Sequence, residues 1–181
     1  MSYFPKILAM TLHHEGGWSD HPKDPGGATM KGVTMQTYSD YLGRPAMKDE
    51  LRRIPDGHLE AIYRKGYWDK VRGDDLAAIS PGLAACVFDF AVNSGPGRAA
   101  KALQSLCGAV TDGGIGPNTL KQAKAWADML GPQGAIDAYQ AFRQHYLESL
   151  DTFAHFGKGW TRRVGDMTVF AKDNAWVDAG A

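Results

Sequence analysis

Cysteine is scarce in this sequence. Of 181 residues only Cys86 and Cys107 carry a thiol, and they form no Cys-x-x-Cys pair. That excludes a disulfide-dense scaffold; the two read as small buried apolar side chains of a protein made in a reducing compartment. An excess of charge of either sign is missing too. Twenty basic residues are matched by twenty acidic ones, and no block of like charge occurs. Bulk electrostatics therefore favours neither nucleic acid nor an anionic membrane surface. The N-terminus has no basic leader, and Pro5, Lys6, His13 and His14 break its apolar run. No secretory leader and no transmembrane span is expected. Low-complexity linkers and strict repeats are absent as well. What remains is a chain 44% apolar, enough for one well-packed domain or one domain with a small appendage.

Phe4, Ile7, Leu8 and Leu12 recur at helical spacing and predict a first helix over Pro5–His14. Gly16 and Gly17 follow as a stop, because glycine takes the left-handed conformation without a Cβ penalty. Residues 18–33 hold Pro22, Pro25, Gly26, Gly27 and Gly32 and run into the β-prone Gly32-Val33-Thr34; a small hairpin or irregular β-lobe is expected there. Thr34 caps a second helix through Tyr38, Tyr41 and Leu42 to Gly43. A third covers Pro55 to Trp68. Ser80-Pro81, a cap with a first-turn proline, opens a helix that is apolar almost all round through Leu83, Val87, Phe88 and Phe90. Such a helix is central and buried; it ends at Asn93-Ser94-Gly95. Helices over Arg98–Leu106, Asn118–Leu130 and Pro132 to about Leu150 follow, then a tail with Phe153, Phe156, Trp160 and Val164. The class is α+β, predominantly α-helical. The one candidate boundary, near residue 94, divides 1–93 from 94–181 and is too tight for a flexible tether.

Glu15 stands at the end of the first amphipathic stretch, and Asp24 and Thr29 lie on the loop beyond it. Two carboxyl groups facing one cleft are the equipment of glycosidic bond cleavage. One protonates the leaving oxygen, and the other activates water or attacks the anomeric carbon. An acid that stays protonated near neutral pH needs an apolar setting. Leu12 and Trp18, three residues to either side of Glu15, can provide one. Asp24, among free peptide groups, reads as the ionised partner, with Thr29 helping it hold a water; Asp20 is an alternative. Trp18 and Tyr67 offer flat faces to a sugar, whereas Trp160 reads as core. Asn93 either hydrogen-bonds an acetamido group or caps its helix. Asp89, on the buried helix, is expected to satisfy an arginine or backbone partner. His13, His14 and His21 do not make a zinc helix, because Trp18 stands where His-Glu-x-x-His needs its second histidine. No metal and no cofactor is expected.

The runs Glu15-Gly16-Gly17-Trp18, Asp24-Pro25-Gly26-Gly27-Ala28-Thr29 and Gly32-Val33-Thr34 resemble the N-terminal signature of glycoside hydrolase family 108. These are N-acetylmuramidases of phage endolysins and related secretion-linked lysozymes. Ile62-Tyr63-Arg64, Tyr67-Trp68, Gly73-Asp74 and Phe88-Asp89-Phe90-Ala91-Val92-Asn93-Ser94-Gly95 continue the likeness in order. Leu103-Gln104, the run from Asp112 to Leu120 and Phe156-Gly157-Lys158-Gly159-Trp160 are similar to the peptidoglycan-binding segment usually joined to that domain. The resemblance implies a lysozyme-like fold, Glu15 as catalytic acid, and the glycan strand of peptidoglycan as substrate. It also implies a helical peptidoglycan-binding-type module over 94–181. Three departures stand out. The spacing from Glu15 through Asp24 to Thr29 is one residue short of the common phage-type pattern. Trp18 replaces a frequent tyrosine. Met30-Lys31 stands where Asn-Tyr is common.

The activity expected is hydrolysis of the β-1,4 bond between N-acetylmuramic acid and N-acetylglucosamine. The alternatives are a lytic transglycosylase, a non-catalytic wall-binding module and a structural phage tail component. Expected partners are peptidoglycan strands, without nucleic acid or stable membrane insertion, and the expected state is a monomer. Synthesis in the cytoplasm without a leader implies release through a holin or another route to the periplasm and cell wall.

Overall fold

The apolar stripe Phe4, Ile7 and Leu8 is buried and makes α1, Phe4–His13, within a residue of expectation. Its end differs from the expectation. Neither Gly16 nor Gly17 takes a positive φ. The last turn tightens instead, with His14 N donating to Thr11 O and Glu15 N to Leu12 O, each at 3.1 Å. Such three-residue bonds satisfy terminal carbonyls without a left-handed cap. The computed structural model describes residues 2–20 and 27–175. They belong to two compact units, Pro5–Gly66 and Tyr67–Ala181 with Met1–Phe4.

In the first unit, β1 (Trp18–Ser19), β2 (Thr29–Met30) and β3 (Val33–Thr34) form an antiparallel sheet in the order β1-β2-β3. Trp18 pairs with Met30 and Ser19 with Thr29; Met30 in turn pairs with Val33 and Thr29 with Thr34. The expected hairpin is there, with a third strand added. Lys31 (φ 47°) and Gly32 (φ 75°) join β2 to β3. Two consecutive positive φ values make the tight turn whose twist matches that of the strands. Thr34 Oγ1 accepts from Thr37 N at 3.1 Å and Gly43 (φ 67°) ends α2, Met35–Leu42, as the cap residues predicted. A short α3 (Lys48–Arg52) follows, then α4 (Asp56–Tyr63). The third predicted helix does not run straight to Trp68: its last five residues, Arg64–Trp68, widen into a π turn.

The second unit is helical: α5 (Gly73–Ile79), α6 (Pro81–Ser94), α7 (Pro96–Cys107), α8 (Pro117–Glu148) and α9 (Phe153–Asp173). Ser80 Oγ caps α6 by accepting from Leu83 N at 3.1 Å. Every residue from Pro81 to Ala91 is buried, so α6 is the central helix. Gly82 permits this: a Cβ there would collide with the Ala171 carbonyl of α9 and with Ile136 of α8. α8 breaks at Gly131 (φ 72°, ψ 154°), just before Pro132, so the two helices expected there are the arms of one kinked element. Phe4 packs on Trp68 and Phe88 at ring distances of 5.0 and 5.6 Å.

Asp89 of α6 finds its expected arginine partners. Arg163 donates to it at 2.8 and 3.0 Å, and Arg143 Nη2 stands 2.8 Å away. Burial opposes ionisation of Asp89, but the two guanidiniums outweigh it and hold the carboxyl below its ordinary range. Trp160 is not core. It is half-buried on α9 against Phe153 and Phe156, at 6.3 and 5.7 Å, and Phe156 itself is 58% exposed. Among the described residues no helix is long and apolar enough to cross a membrane.

Candidate active site

The hydrogen-bonded last turn of α1 fixes where Glu15 leaves the helix, and its side chain is half-buried. The Lys31-Gly32 turn comes up against it. A Cβ on Gly32 would stand 3.0 Å from Glu15 Oε2 and 2.5 Å from Tyr63 Oη. The carboxyl and the phenol thus converge on the bare face of one glycine. Tyr63, 2% exposed, donates its hydroxyl to the Lys31 carbonyl at 2.7 Å. α4 in this way pins the turn of the sheet, and the turn backs the carboxyl at the end of α1. Lys31 Nζ also lies 3.8 Å from Asp56 of α4. The end of α1 and the hairpin turn together limit where this carboxyl can sit.

A family model, glycosyl hydrolase 108, matches residues 8–95, a span that includes Glu15, Gly32 and Tyr63. The solved structure of Brucella abortus SagA matches with 39% identity and a TM-score of 0.79, over 98% of each chain. The chain belongs to glycosyl hydrolase family 108. As a family 108 protein it is a glycoside hydrolase that acts on peptidoglycan, and its α+β fold is lysozyme-like. Eleven chains of solved structures match in all. No curated protein matches.

The other residues singled out in this family 108 sequence are placed as follows. Trp18 is half-buried on β1, with the Arg52 guanidinium 5.7 Å from its ring. Thr29 is half-buried on β2, between Ser19 and Thr34. Asp24 and His21 lie outside the described residues. Asp20, the alternative second carboxylate, is engaged: Lys48 Nζ reaches both of its oxygens at 3.0 Å. Tyr67, half-buried in the π turn, and Asn93, half-buried in the last turn of α6, belong to the second unit. Asn93 Oδ1 accepts from Ser94 Oγ at 3.2 Å, and Gly95 (φ 93°), not Asn93, caps the helix.

Also in the second unit, buried Gln104 organises the loop that begins at Asp112. It donates to Asp112 Oδ1 at 2.7 Å and to the Gly114 carbonyl at 3.0 Å, and accepts from Gly113 N at 2.9 Å. A concavity of about 600 Å³ opens beside this loop, lined by Val110, Asn118, Lys121 and Gln122 among others.

Two participants escaped sequence reading. Lys31-Gly32 between two β-prone pairs is a hairpin-turn signal, and it would have placed the turn. Tyr63 stood in the sequence only within the run Ile62-Tyr63-Arg64, with no role of its own, because its partner lies 32 residues away.

Proposed function

We propose that this family 108 hydrolase cleaves the β-1,4 bond between N-acetylmuramic acid and N-acetylglucosamine, with Glu15 as general acid. The observation that carries this reading is the convergence of Glu15 Oε2 and Tyr63 Oη on Gly32, which gives the carboxyl one defined position. Glu15 protonates the glycosidic oxygen as the bond breaks. Asp24 activates or orients the attacking water, with Asp20, which Lys48 engages, as the alternative. Thr29 assists in holding the water. Trp18 supplies a sugar-stacking face, and Tyr67 and Asn93 contact the glycan. Residues 94–181 act as a wall-binding module, an assignment supported by the ordered Gln104–Asp112 loop and the concavity next to it. The enzyme works as a monomer.

The test is mass spectrometry of soluble products from purified sacculi treated with wild type and Glu15→Gln. Reducing muramic acid ends are expected from wild type, with a loss of about 10²–10⁴-fold in the variant, the usual contribution of general acid catalysis. Full activity of Glu15→Gln removes Glu15 from the mechanism. Anhydro ends from wild type replace hydrolysis with transglycosylation.

A further inference from the structure

We propose that the groove between α1 and α4 seats the peptide stem of peptidoglycan. The inference rests on Glu15 marking the point of cleavage. The groove is open to solvent and has a volume of about 500 Å³, comparable with small-ligand sites. Buried Leu8 and Leu59 and half-buried Leu12 give it an apolar floor. Lys31, Asp56 and Glu60 give it a charged rim.

Three properties of the stem fit this site. The first is its chemistry. A stem alternates alanine methyls with a glutamate carboxylate and a diamino acid bearing an ammonium group. The methyls suit the leucine floor, the carboxylate suits Lys31, and the ammonium suits Glu60. The existing Lys31–Asp56 pair is long, at 3.8 Å, and Asp56 is 96% exposed, so it is weak and a ligand carboxylate can displace it. The second is length. From Pro5 to His13 the helix wall of the groove runs about 12 Å at the helical rise per residue, of the order of the 13–14 Å spanned by roughly four extended α-linked residues, to which the γ-linked glutamate adds two bonds. The third is position. Lys31, which lines the groove, adjoins Gly32, which lies against Glu15. The stem branches from the muramic acid of the cleaved bond, so it must leave the glycan near that carboxyl.

The test uses two exposed helix positions, Ala9→Trp to fill the groove and Glu60→Lys to reverse its rim charge. Circular dichroism confirms that each variant folds. Rates are compared on glycan strands carrying stems and on the same strands stripped by an amidase. The expected result is a kcat/KM ratio of about tenfold in favour of stem-bearing strands for wild type, collapsing toward one in both variants. The free tetrapeptide L-Ala-γ-D-Glu-diaminopimelate-D-Ala should also shift amide resonances of α1 and α4 in wild type and in Glu15→Gln. A wild-type ratio of one, an unchanged ratio in the variants, or the absence of those shifts overturns the groove assignment while leaving Glu15 untouched. Peptide shifts in a wild type that cleaves neither substrate would uphold the groove and overturn the catalytic reading instead.

Discussion

Gly32 carries two demands that no other residue meets together. Its φ of 75° is unfavourable for a side chain, and the space where a Cβ would sit is taken by Tyr63 Oη and Glu15 Oε2. Gly32→Ala should therefore cost about 1–2 kcal/mol in backbone conformation alone, with added displacement of the carboxyl or the phenol. The expected outcome is a lower melting temperature together with a fall of at least about tenfold in kcat on sacculi. Steady-state rates beside a thermal scan check it; unchanged kcat would show that Glu15 does not depend on the turn. Tyr63→Phe isolates the neighbouring link. It keeps the ring and removes the 2.7 Å bond to the Lys31 carbonyl, worth about 1 kcal/mol. Tyr63 is a positioning residue, so kcat should drop several-fold with KM little changed, and a rise in KM alone would place it against substrate. At this scale the glycine-rich flank made Glu15 a candidate in the sequence, while the residues that lie against it stayed hidden. Helical spacing assigns Tyr63 to a core without naming the backbone atom that its hydroxyl reaches.

Between elements, short helices were the least legible part. α2 was evident because Thr34 and Gly43 punctuate it, whereas Gly131-Pro132 read as a boundary between two helices where the structure has a kink in α8. α3 and α5, of five and seven residues, are too short to show a period and rest on side-chain bonds and packing. In α3 that bond is Glu50. Its carboxylate takes Arg44 at 2.7 and 3.1 Å and the Met47 amide at 2.8 Å, tying the start of the helix to the end of α2. The Arg44 bond, with help from Met47, lowers the Glu50 pKa to about 2. A depressed carboxyl stabilises the fold fully above its unfolded pKa, and the effect fades as pH falls through the folded value. Wild type should therefore be more stable than Glu50→Gln at pH 7, and the gap should close between about pH 5 and pH 2. Urea midpoints across that range test this; a gap independent of pH would assign the effect to packing instead of charge.

For the molecule as a whole, the second unit is organised around a buried charge, Asp89, whose need for a partner the sequence shows but whose two arginines it does not name. Asp89 and Arg143 are fully buried, and Arg163 nearly so, joining α6, α8 and α9. Arg143 is the least satisfied of the three. Its Nη2 meets Asp89 at 2.8 Å, off the line of a good hydrogen bond, and among the described residues Nε and Nη1 have no hydrogen-bond partner. The Phe90 ring, 5.3 Å away, gives partial compensation. Two cations thus depend on one carboxylate in a site almost closed to solvent. Asp89→Asn would leave both uncompensated and should cost about 3–5 kcal/mol, or a drop in melting temperature of roughly 6–20 °C for a chain of this size. Lost attraction and stranded charge predict different rescues. If stranded charge dominates, replacing all three residues with apolar side chains of similar volume (Asp89→Leu, Arg143→Met and Arg163→Leu together) should recover most of the loss, because well-packed apolar groups replace buried ion pairs at little cost. Calorimetry on wild type, the single variant and the triple variant separates the two. A triple variant as unstable as Asp89→Asn would mean that the geometry of the ion triad itself, not the neutralisation of its charge, holds the three helices together.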